Sequence, residues 1–256
     1  MKFYCFTVDD NIRFLKELTQ TPEASIFAHP YLAMYRRLHE KFDLKVQLNL
    51  FYEMPGFDLS QMTDRYCDEF ARNAHWLKLS FHSRLENVKP YEFSGYEEVY
   101  EDATAVNDQI LRFAGADSLG KTTTIHYCRT TNEGLLAMKD LETEGLLGLF
   151  GTADSPRTSY SVPECMGDAI RAGQVAEYQG VKIASIDMVI NDTKQENIIP
   201  ELQLLRDHDQ VRVMIHEQYF YEDYPRYQNN FEEKLKTVFA FLEDAGYQSR
   251  FFEEML

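Results

Sequence analysis

Two adjacent carboxylates, Asp9 and Asp10, directly follow a run of aromatic and β-branched residues (residues 2–8) that is typical of a strand. Histidines recur in comparable places, each at the end of a later predicted strand: His82, His126 and His216. Carboxylate and imidazole ligands together suit a divalent ion such as Zn²⁺, Mn²⁺ or Fe²⁺. The same groups transfer protons near neutral pH. The pattern therefore predicts metal-assisted acid–base chemistry.

The spacing of these residues suggests a role for each. Glu86 lies four residues after His82, so the two side chains share a face if that segment turns helically. Together with Asp10 they would supply three ligands and leave coordination positions open, as in a catalytic metal site. Asp9 would then deprotonate the metal-bound water, which attacks a carbonyl carbon, and His216 would return a proton to the leaving group.

The elements that must position these residues alternate between strand and helix along the whole chain. Strands are predicted over residues 2–8, 45–52, 76–81, 122–127, 146–150, 175–178 with 181–190, 211–215 and 247–252. Helices are predicted over residues 31–42, 59–73, 95–114, 133–144, 196–208 and 231–245. Such alternation is typical of parallel strands joined by right-handed crossovers.

This order and length predict one α/β domain over residues 1–256, a (β/α) barrel of seven or eight strands, regular or distorted. An open doubly wound sheet is the alternative, but no glycine-rich phosphate loop follows the first strand. Active sites of such barrels lie at the carboxyl ends of the strands, where the acids and histidines of this chain recur.

The composition excludes several classes of partner. Acidic residues number 42 against 26 basic ones, a formal charge of −16, which argues against binding to nucleic acid or to anionic membranes. No apolar run approaches the roughly 18 residues of a membrane span, and the N-terminal residues do not resemble a secretory signal. The cysteines form no Cys-x-x-Cys pair, which argues against disulfides and predicts a cytoplasmic protein. The sequence leaves open whether the chain forms a homo-oligomer.

Four short motifs carry a family resemblance. Residues 6–11 (Phe-Thr-Val-Asp-Asp-Asn) resemble the Thr-Phe-Asp-Asp-Gly motif of polysaccharide deacetylases, in the glycoside hydrolase/deacetylase (β/α)-barrel superfamily. Residues 81–86 stand where that family has His-Ser/Thr-x-x-His. Residues 128–131 resemble its Arg-x-Pro-aromatic motif, and residues 214–216 resemble its late Leu-x-His motif. The resemblance covers most of the chain in order.

The resemblance implies an enzyme that deacetylates an N-acetylated sugar, or hydrolyses a related amide or ester bond of a small substrate, in carbohydrate metabolism. It implies a divalent metal ion, with zinc the first choice and manganese, iron, cobalt or nickel as alternatives. It also implies roles for particular residues: Asp9 as catalytic base, Asp10 and His82 as metal ligands, Arg129 orienting Asp9, His216 as general acid, and Asp187 supporting His216.

The chain departs from the family pattern at Glu86, which stands where the second metal-binding histidine belongs. Either Glu86 or His126 would complete the metal site, or this branch has lost its metal and its activity. A non-catalytic barrel that binds carbohydrate is the main alternative function, and no positive evidence favours a purely structural protein. Aromatic side chains in the loops after the strands are predicted to contact the substrate: Tyr91, Tyr160 and Tyr219.

Overall fold

The computed structural model describes residues 1–86, 91–152 and 154–256. Its strands are β1 (Lys2–Asn11), β2 (Val46–Met54), β3 (Phe57–Asp58), β4 (Leu77–Leu85), β5 (Thr122–Thr123), β6 (Gly145–Gly148), β7 (Ala176–Tyr178), β8 (Val181–Ser185), β9 (Met188–Val189), β10 (Gln210–His216) and β11 (Tyr247–Ser249). Its α-helices are α1 (Arg13–Gln20), α2 (Pro30–Phe42), α3 (Cys67–Asn73), α4 (Tyr96–Ala114), α5 (Asn132–Asp140), α6 (Glu164–Arg171), α7 (Gln195–Leu204) and α8 (Phe231–Asp244).

The strands form two sheets whose main pairings are parallel. The first has the order β3-β2-β1-β10-β9, with β4 also on β2 and β11 on β1, and the second has the order β5-β6-β8-β7. The two sheets meet at two places. At the first, between β4 and β5, the amide of Gly120 donates a hydrogen bond to the carbonyl oxygen of Leu79. At the second, the consecutive strands β8 and β9 link the sheets, because β8 pairs with β6 and β9 pairs with β10. The two sheets adjoin in the ring-like order β1-β2-β4-β5-β6-β8/β9-β10, which follows that of a distorted (β/α) barrel although the described strands form two sheets and not one continuous sheet. The predicted α/β fold class is confirmed.

The first strand shows why alternate residues serve two different environments. Successive side chains of a strand point to opposite faces. Tyr4 and Phe6 both pack on Phe239 of α8, with ring centroids 5.9 and 5.0 Å apart. Cys5 belongs to a separate buried apolar cluster inside the ring of strands, and Asp9 lies at the same side of the strand. The outward face of β1 therefore packs against a helix, and its inward face carries polar side chains such as Asp9 toward the inside of the ring of strands.

Several predicted elements differ from the observed ones. The strand predicted over residues 122–127 ends after Thr123, because a 3-10 helix occupies His126–Cys128 and Tyr127 has a φ of +62°. The helix predicted over residues 59–73 is divided into a 3-10 turn at Leu59–Gln61 and α3. The strand predicted over residues 247–252 is the short β11, which pairs with the start of β1 instead of extending the ring. Helix α6 was not predicted.

Helix α1 is capped by a residue from the far end of the chain. Its own N-cap residue, Ile12, offers no side-chain acceptor. Instead the carboxylate of Glu217, 1% exposed, accepts hydrogen bonds from the amides of Ile12, Arg13 and Phe14 at 2.7, 3.0 and 2.8 Å. These bonds satisfy amides that a helix start leaves unpaired. They also tie the segment after β1 to the segment after β10, so the two ends that carry the acidic pair and His216 are held in register.

Candidate active site

A bulge turns both adjacent carboxylates into the barrel. Between Val8 and Asn11, β1 carries one more residue than its partner β2, and the register shifts there. Asp10 has a φ of +62°, a left-handed conformation that aspartate tolerates better than most residues. In a regular strand Asp9 and Asp10 would point to opposite faces, whereas the extra residue lets both reach the same site.

Three side chains from three different segments converge at the mouth of the barrel. Oδ1 of Asp10 lies 3.0 Å from Nε2 of His82 and 3.2 Å from Nδ1 of His126. The two histidine nitrogens are 3.0 Å apart. Within residues 1–86, 91–152 and 154–256, these three residues form the one group of acids, histidines or cysteines close enough to hold a metal ion. The ring of Phe51 covers both imidazoles, with centroid distances of 5.2 and 5.0 Å.

The hydrogen bonding of His82 shows that this group fits a cation. Nδ1 of His82 lies against the carbonyl oxygen of Thr124, so Nδ1 donates and the lone pair of the ring is on Nε2. Burial lowers the pKa of His82 and so favours the neutral ring, although Asp10 opposes the shift. The lone pair of Nε2 then faces a carboxylate oxygen, and two acceptors in contact require a proton or a metal ion between them.

Asp10 itself is held in its ionised form. Burial pushes the pKa of Asp10 upward, but hydrogen bonds from the ring of His126 and, when its Nε2 carries a proton, from that of His82 outweigh burial and hold the pKa well below its ordinary value. Its second oxygen, Oδ2, accepts a hydrogen bond from Nε2 of Gln218 at 2.7 Å. One oxygen is therefore oriented by the protein, and the other is presented to the two histidines.

Asp9 has the opposite character. It is 2% exposed, and burial, reinforced by the charge of Asp10, raises its pKa well above the ordinary value. Nδ2 of Asn49 donates to Oδ1 of Asp9 at 2.7 Å, which partly offsets the shift. Two neighbouring carboxyl groups with pKa values driven apart are suited to separate roles, one as a ligand and one as a group that accepts a proton.

His216 also lies at this face, but its support differs from the prediction. Oδ1 of Asn191 accepts a hydrogen bond from Nδ1 of His216 at 2.8 Å. Asp187, which was expected in this position, instead accepts a hydrogen bond from the amide of Arg212 at 2.8 Å and lies 3.7 Å from its guanidinium. The expectation fails because Asp187 pairs near the start of β10 and His216 ends that strand. Burial lowers the pKa of His216, although the charges of Asp10 and Asp192 act to raise it.

Two further predicted residues lie away from the three converging side chains. Arg129 forms an ion pair with Glu92 and is 49% exposed, so it does not orient Asp9 as expected. The turn at residues 126–128 redirects the chain and carries the arginine outward. Glu86 is exposed and lines a cavity that reaches Asp10, but it is outside the group formed with His82 and His126.

The three tyrosines predicted to contact substrate are all buried. Tyr160 is 1% exposed, and its hydroxyl lies between the carbonyl of Leu147 and the amide of Ile125. Tyr91 is 5% exposed, and its hydroxyl donates to Asp102. Tyr219 is 8% exposed and packs near the ring of His216, with centroids 6.1 Å apart. These rings pack within the protein, and the hydroxyls of Tyr91 and Tyr160 have hydrogen-bond partners there.

Three amide side chains that hydrogen-bond to the acidic and histidine side chains were not predicted: Asn49, Asn191 and Gln218. One signal was available for Asn49, because the buried strand β2 alternates Gln47, Leu48, Asn49 and Leu50. Polar residues at every second position of a buried strand indicate a polar interior face. The other two amides lie in segments after strands, where no periodicity identifies them.

A cavity of about 370 Å³ opens beside Asp10. That volume is within the range of roughly 300–1,000 Å³ typical of small-molecule sites. Its lining combines aromatic and acidic side chains with one arginine: Phe51, Glu53, Glu86, Glu217, Tyr221, Asp223, Tyr224 and Arg13 are among them. Asp10 is the point at which this cavity meets the three converging side chains.

Comparison with known proteins finds no family model and no curated protein that matches the sequence. Solved structures do match. A family 4 acetyl xylan esterase from Clostridium thermocellum, in complex with a cobalt ion, superposes with a TM-score of 0.55 at 13% identity and covers 99% of this chain and 89% of its own. A peptidoglycan N-acetylglucosamine deacetylase superposes with a TM-score of 0.50 at 11% identity and covers 99% and 87%. The chain has a polysaccharide deacetylase-like fold.

The deacetylase-like fold is shared with enzymes of other activities. A 4-alpha-glucanotransferase from Thermococcus litoralis superposes with a TM-score of 0.61 at 12% identity, covering 99% of this chain and 40% of the transferase. Identities this low establish the fold, and the reaction must be argued from the site. In the described part of this deacetylase-like chain, no helix has the length and apolar character needed to cross a membrane.

The contact between Asn191 and His216 leads to a prediction about pH dependence. In Asn191→Asp, a carboxylate replaces the amide oxygen beside Nδ1 and stabilises the imidazolium, so the pKa of His216 rises by about one unit or more. If protonated His216 is the acid, activity will persist to correspondingly higher pH, which a pH–rate profile measures. Asn197→Asp, an exposed change on α7, serves as the control. An unchanged alkaline limb would show that His216 does not govern it.

Proposed function

We propose that this protein is a metal-dependent hydrolase that removes an acetyl group from an N-acetylated sugar or a related small substrate. The observation that carries the proposal is the convergence of Asp10, His82 and His126 beside a second, protonatable carboxyl group, Asp9. His126 is the third ligand in this proposal, since it lies within 3.2 Å of both partners while Glu86 is outside the group.

The chemistry of the donor set suits zinc first. One carboxylate and two neutral imidazoles are ordinary zinc ligands, and the same set accepts manganese, iron, cobalt or nickel. When bound, the ion supplies Lewis acidity to the scissile carbonyl. The apolar ring of Phe51 packs edge-on against the two imidazoles, and apolar surroundings strengthen the electrostatic interactions of the groups they contact.

The remaining steps belong to the protein. Asp9 accepts the proton of the attacking water, because its burial beside Asp10 makes the carboxylate more basic than usual. His216 then donates a proton to the departing amine or alcohol. The lowered pKa of His216 favours the neutral ring before the reaction, so His216 must bind a proton before it can donate one. Asn191 orients that ring by accepting from Nδ1.

A carbohydrate-binding barrel without catalysis is the second candidate. It is favoured by one observation, that Arg129 is paired with Glu92 and leaves Asp9 without the arginine that the family resemblance implies. We also propose a cytoplasmic location, supported by the four cysteines, which are all unpaired: Cys5, Cys67, Cys128 and Cys165.

The two candidates separate in one experiment. Purified protein is stripped with chelator, reloaded with zinc, manganese, cobalt or nickel, and incubated with N-acetylglucosamine oligomers and acetylated xylan. We expect release of acetate that depends on the added ion and is lost on renewed chelation. Tight oligomer binding without acetate release under any metal would favour the non-catalytic barrel.

A further inference from the structure

The loop that carries His126 has an unusual backbone. Tyr127 and Cys128 are consecutive non-glycine residues with φ values of +62° and +55°. This left-handed region is unfavourable for residues with a Cβ, and especially for a bulky aromatic residue such as Tyr127. Where a chain needs only the turn, glycine or asparagine provides it at lower cost. Strained positions of this kind cluster at functional sites, which makes the Tyr127 side chain worth explaining.

The surrounding structure holds the loop in place. Arg157 donates to the carbonyl oxygen of Tyr127 at 3.1 Å. The amide of Tyr160 donates to the carbonyl oxygen of Cys128 at 3.2 Å. Tyr160 and Ser161 have positive φ values themselves, +58° and +53°, so two strained segments face each other. The backbone at Tyr127 and Cys128 is therefore held by bonds from Arg157 and Tyr160, which fix the direction of the Cα–Cβ bond of Tyr127.

The ring of Tyr127 lies beside the candidate metal ligands and remains accessible. Its centroid is 4.0 Å from that of His126, and 40% of the residue is exposed. Phe51, which also contacts the ring of His126, is 2% exposed. Partial burial and the charges of Asp10 and Glu86 raise the pKa of the Tyr127 hydroxyl, so this side chain lies within electrostatic range of Asp10 and of Glu86, two residues that line the cavity.

We propose that Tyr127 is a substrate-contacting residue whose ring stacks against the sugar unit that bears the acetyl group. This rests on the proposed function, because it places the acetylated sugar at the Asp10–His82–His126 group. The apolar face of a pyranose packs on an aromatic ring, and the fixed backbone keeps that ring in position before the substrate arrives. Tyr127 takes the role that the sequence assigned to Tyr91, Tyr160 and Tyr219, which are buried.

Three variants of the metal-loaded full chain distinguish substrate contact from a structural role. Tyr127→Phe keeps the ring, Tyr127→Leu removes the ring but keeps the strain, and Tyr127→Gly removes both. We expect KM for an N-acetylglucosamine oligomer to stay within about twofold in the first and to rise about tenfold in the other two, with kcat within about twofold. Tyr127→Gly should melt above Tyr127→Leu, because glycine relieves the left-handed strain.

The decisive comparison is between the melting temperature and KM of Tyr127→Gly: the melting temperature should recover relative to Tyr127→Leu, whereas KM should stay high. If the role of Tyr127 is structural, Tyr127→Gly should restore both the melting temperature and KM relative to Tyr127→Leu, and that result would overturn the proposal. Loss of bound metal in any of the three variants would overturn it as well. Tyr227→Leu, at a tyrosine of similar exposure (38%), is the matched control and should leave KM unchanged. Calorimetric binding of the oligomer to the same variants separates the two proposals. Ring-dependent binding without hydrolysis would refute only the deacetylase activity, and absence of binding to the wild-type protein would refute both.

Discussion

The double variant Asp10→Ala, His82→Ala should lose its divalent ion and all measurable hydrolysis. Both side chains aim a donor atom at the same point, with Asp10 Oδ1 and His82 Nε2 3.0 Å apart, and His126 alone cannot hold an ion. Loss of an outer hydrogen-bond partner of a metal ligand costs roughly 10- to 100-fold in affinity, and loss of two ligands must cost more. Metal content after reloading and dialysis is the direct measurement.

The control for this variant is a pair of exposed residues of the same types, Asp117→Ala with His75→Ala. That protein should keep a stoichiometric ion. Thermal unfolding adds a second readout: zinc should raise the melting temperature of the wild-type and control proteins but not that of the site variant, since a ligand stabilises only a protein that binds it. A site variant that retains a full equivalent of metal would place the ion elsewhere.

Asp9→Asn should abolish most of the activity while leaving the metal in place. The change removes the proton-accepting carboxylate but preserves its shape and its hydrogen bond with Asn49. Loss of a general base typically costs about 10²- to 10⁴-fold in rate, so kcat/KM should fall by that factor. Metal content must be measured on the same sample. Loss of metal together with activity would show that Asp9 is itself a ligand.

The same variant has a predicted effect on the stability of the metal-free protein. Because the pKa of Asp9 is raised in the folded state, its contribution to stability is fully present below the ordinary carboxyl range and is lost as the pH rises through the folded pKa. Asp9→Asn cannot ionise, so its free energy of unfolding should exceed that of the wild-type protein near pH 8, and the difference should shrink toward pH 4. Denaturant titrations at both pH values with chelator measure it.

The fold class could be predicted from the sequence because it depends on local patterns. Alternating strand and helix signals survive small errors of boundary, and parallel α/β topologies are few. The 10-residue strand β1 and the 19-residue helix α4 match their predictions within a few residues. The short β5 does not, because two residues in left-handed conformation interrupt a stretch that its β-branched composition would otherwise extend.

The site was predictable only in part, for a different reason. Asp9, Asp10, His82 and His216 lie at or near the carboxyl ends of strands, and a parallel barrel brings such positions together at one face. The partner of a side chain is decided by distance in space, and sequence separation carries no information about it. Asn191 and not Asp187 reaches His216, because Asp187 lies where the chain passes from β8, paired with β6, to β9, paired with β10, and Asn191 follows β9.

The bulge at Asp10 has a consequence for how this site can vary. The proposed base and the proposed ligand are neighbours on one backbone, separated by the fixed virtual bond of about 3.8 Å between consecutive Cα atoms. Repacking of helices or loops can therefore shift the pair as a unit but cannot alter the spacing of its backbone atoms. A deletion that straightened the bulge would turn one of the two inward carboxylates outward. The bulge in β1 therefore sets the spacing between the proposed base and the proposed metal ligand, on which the proposed chemistry depends.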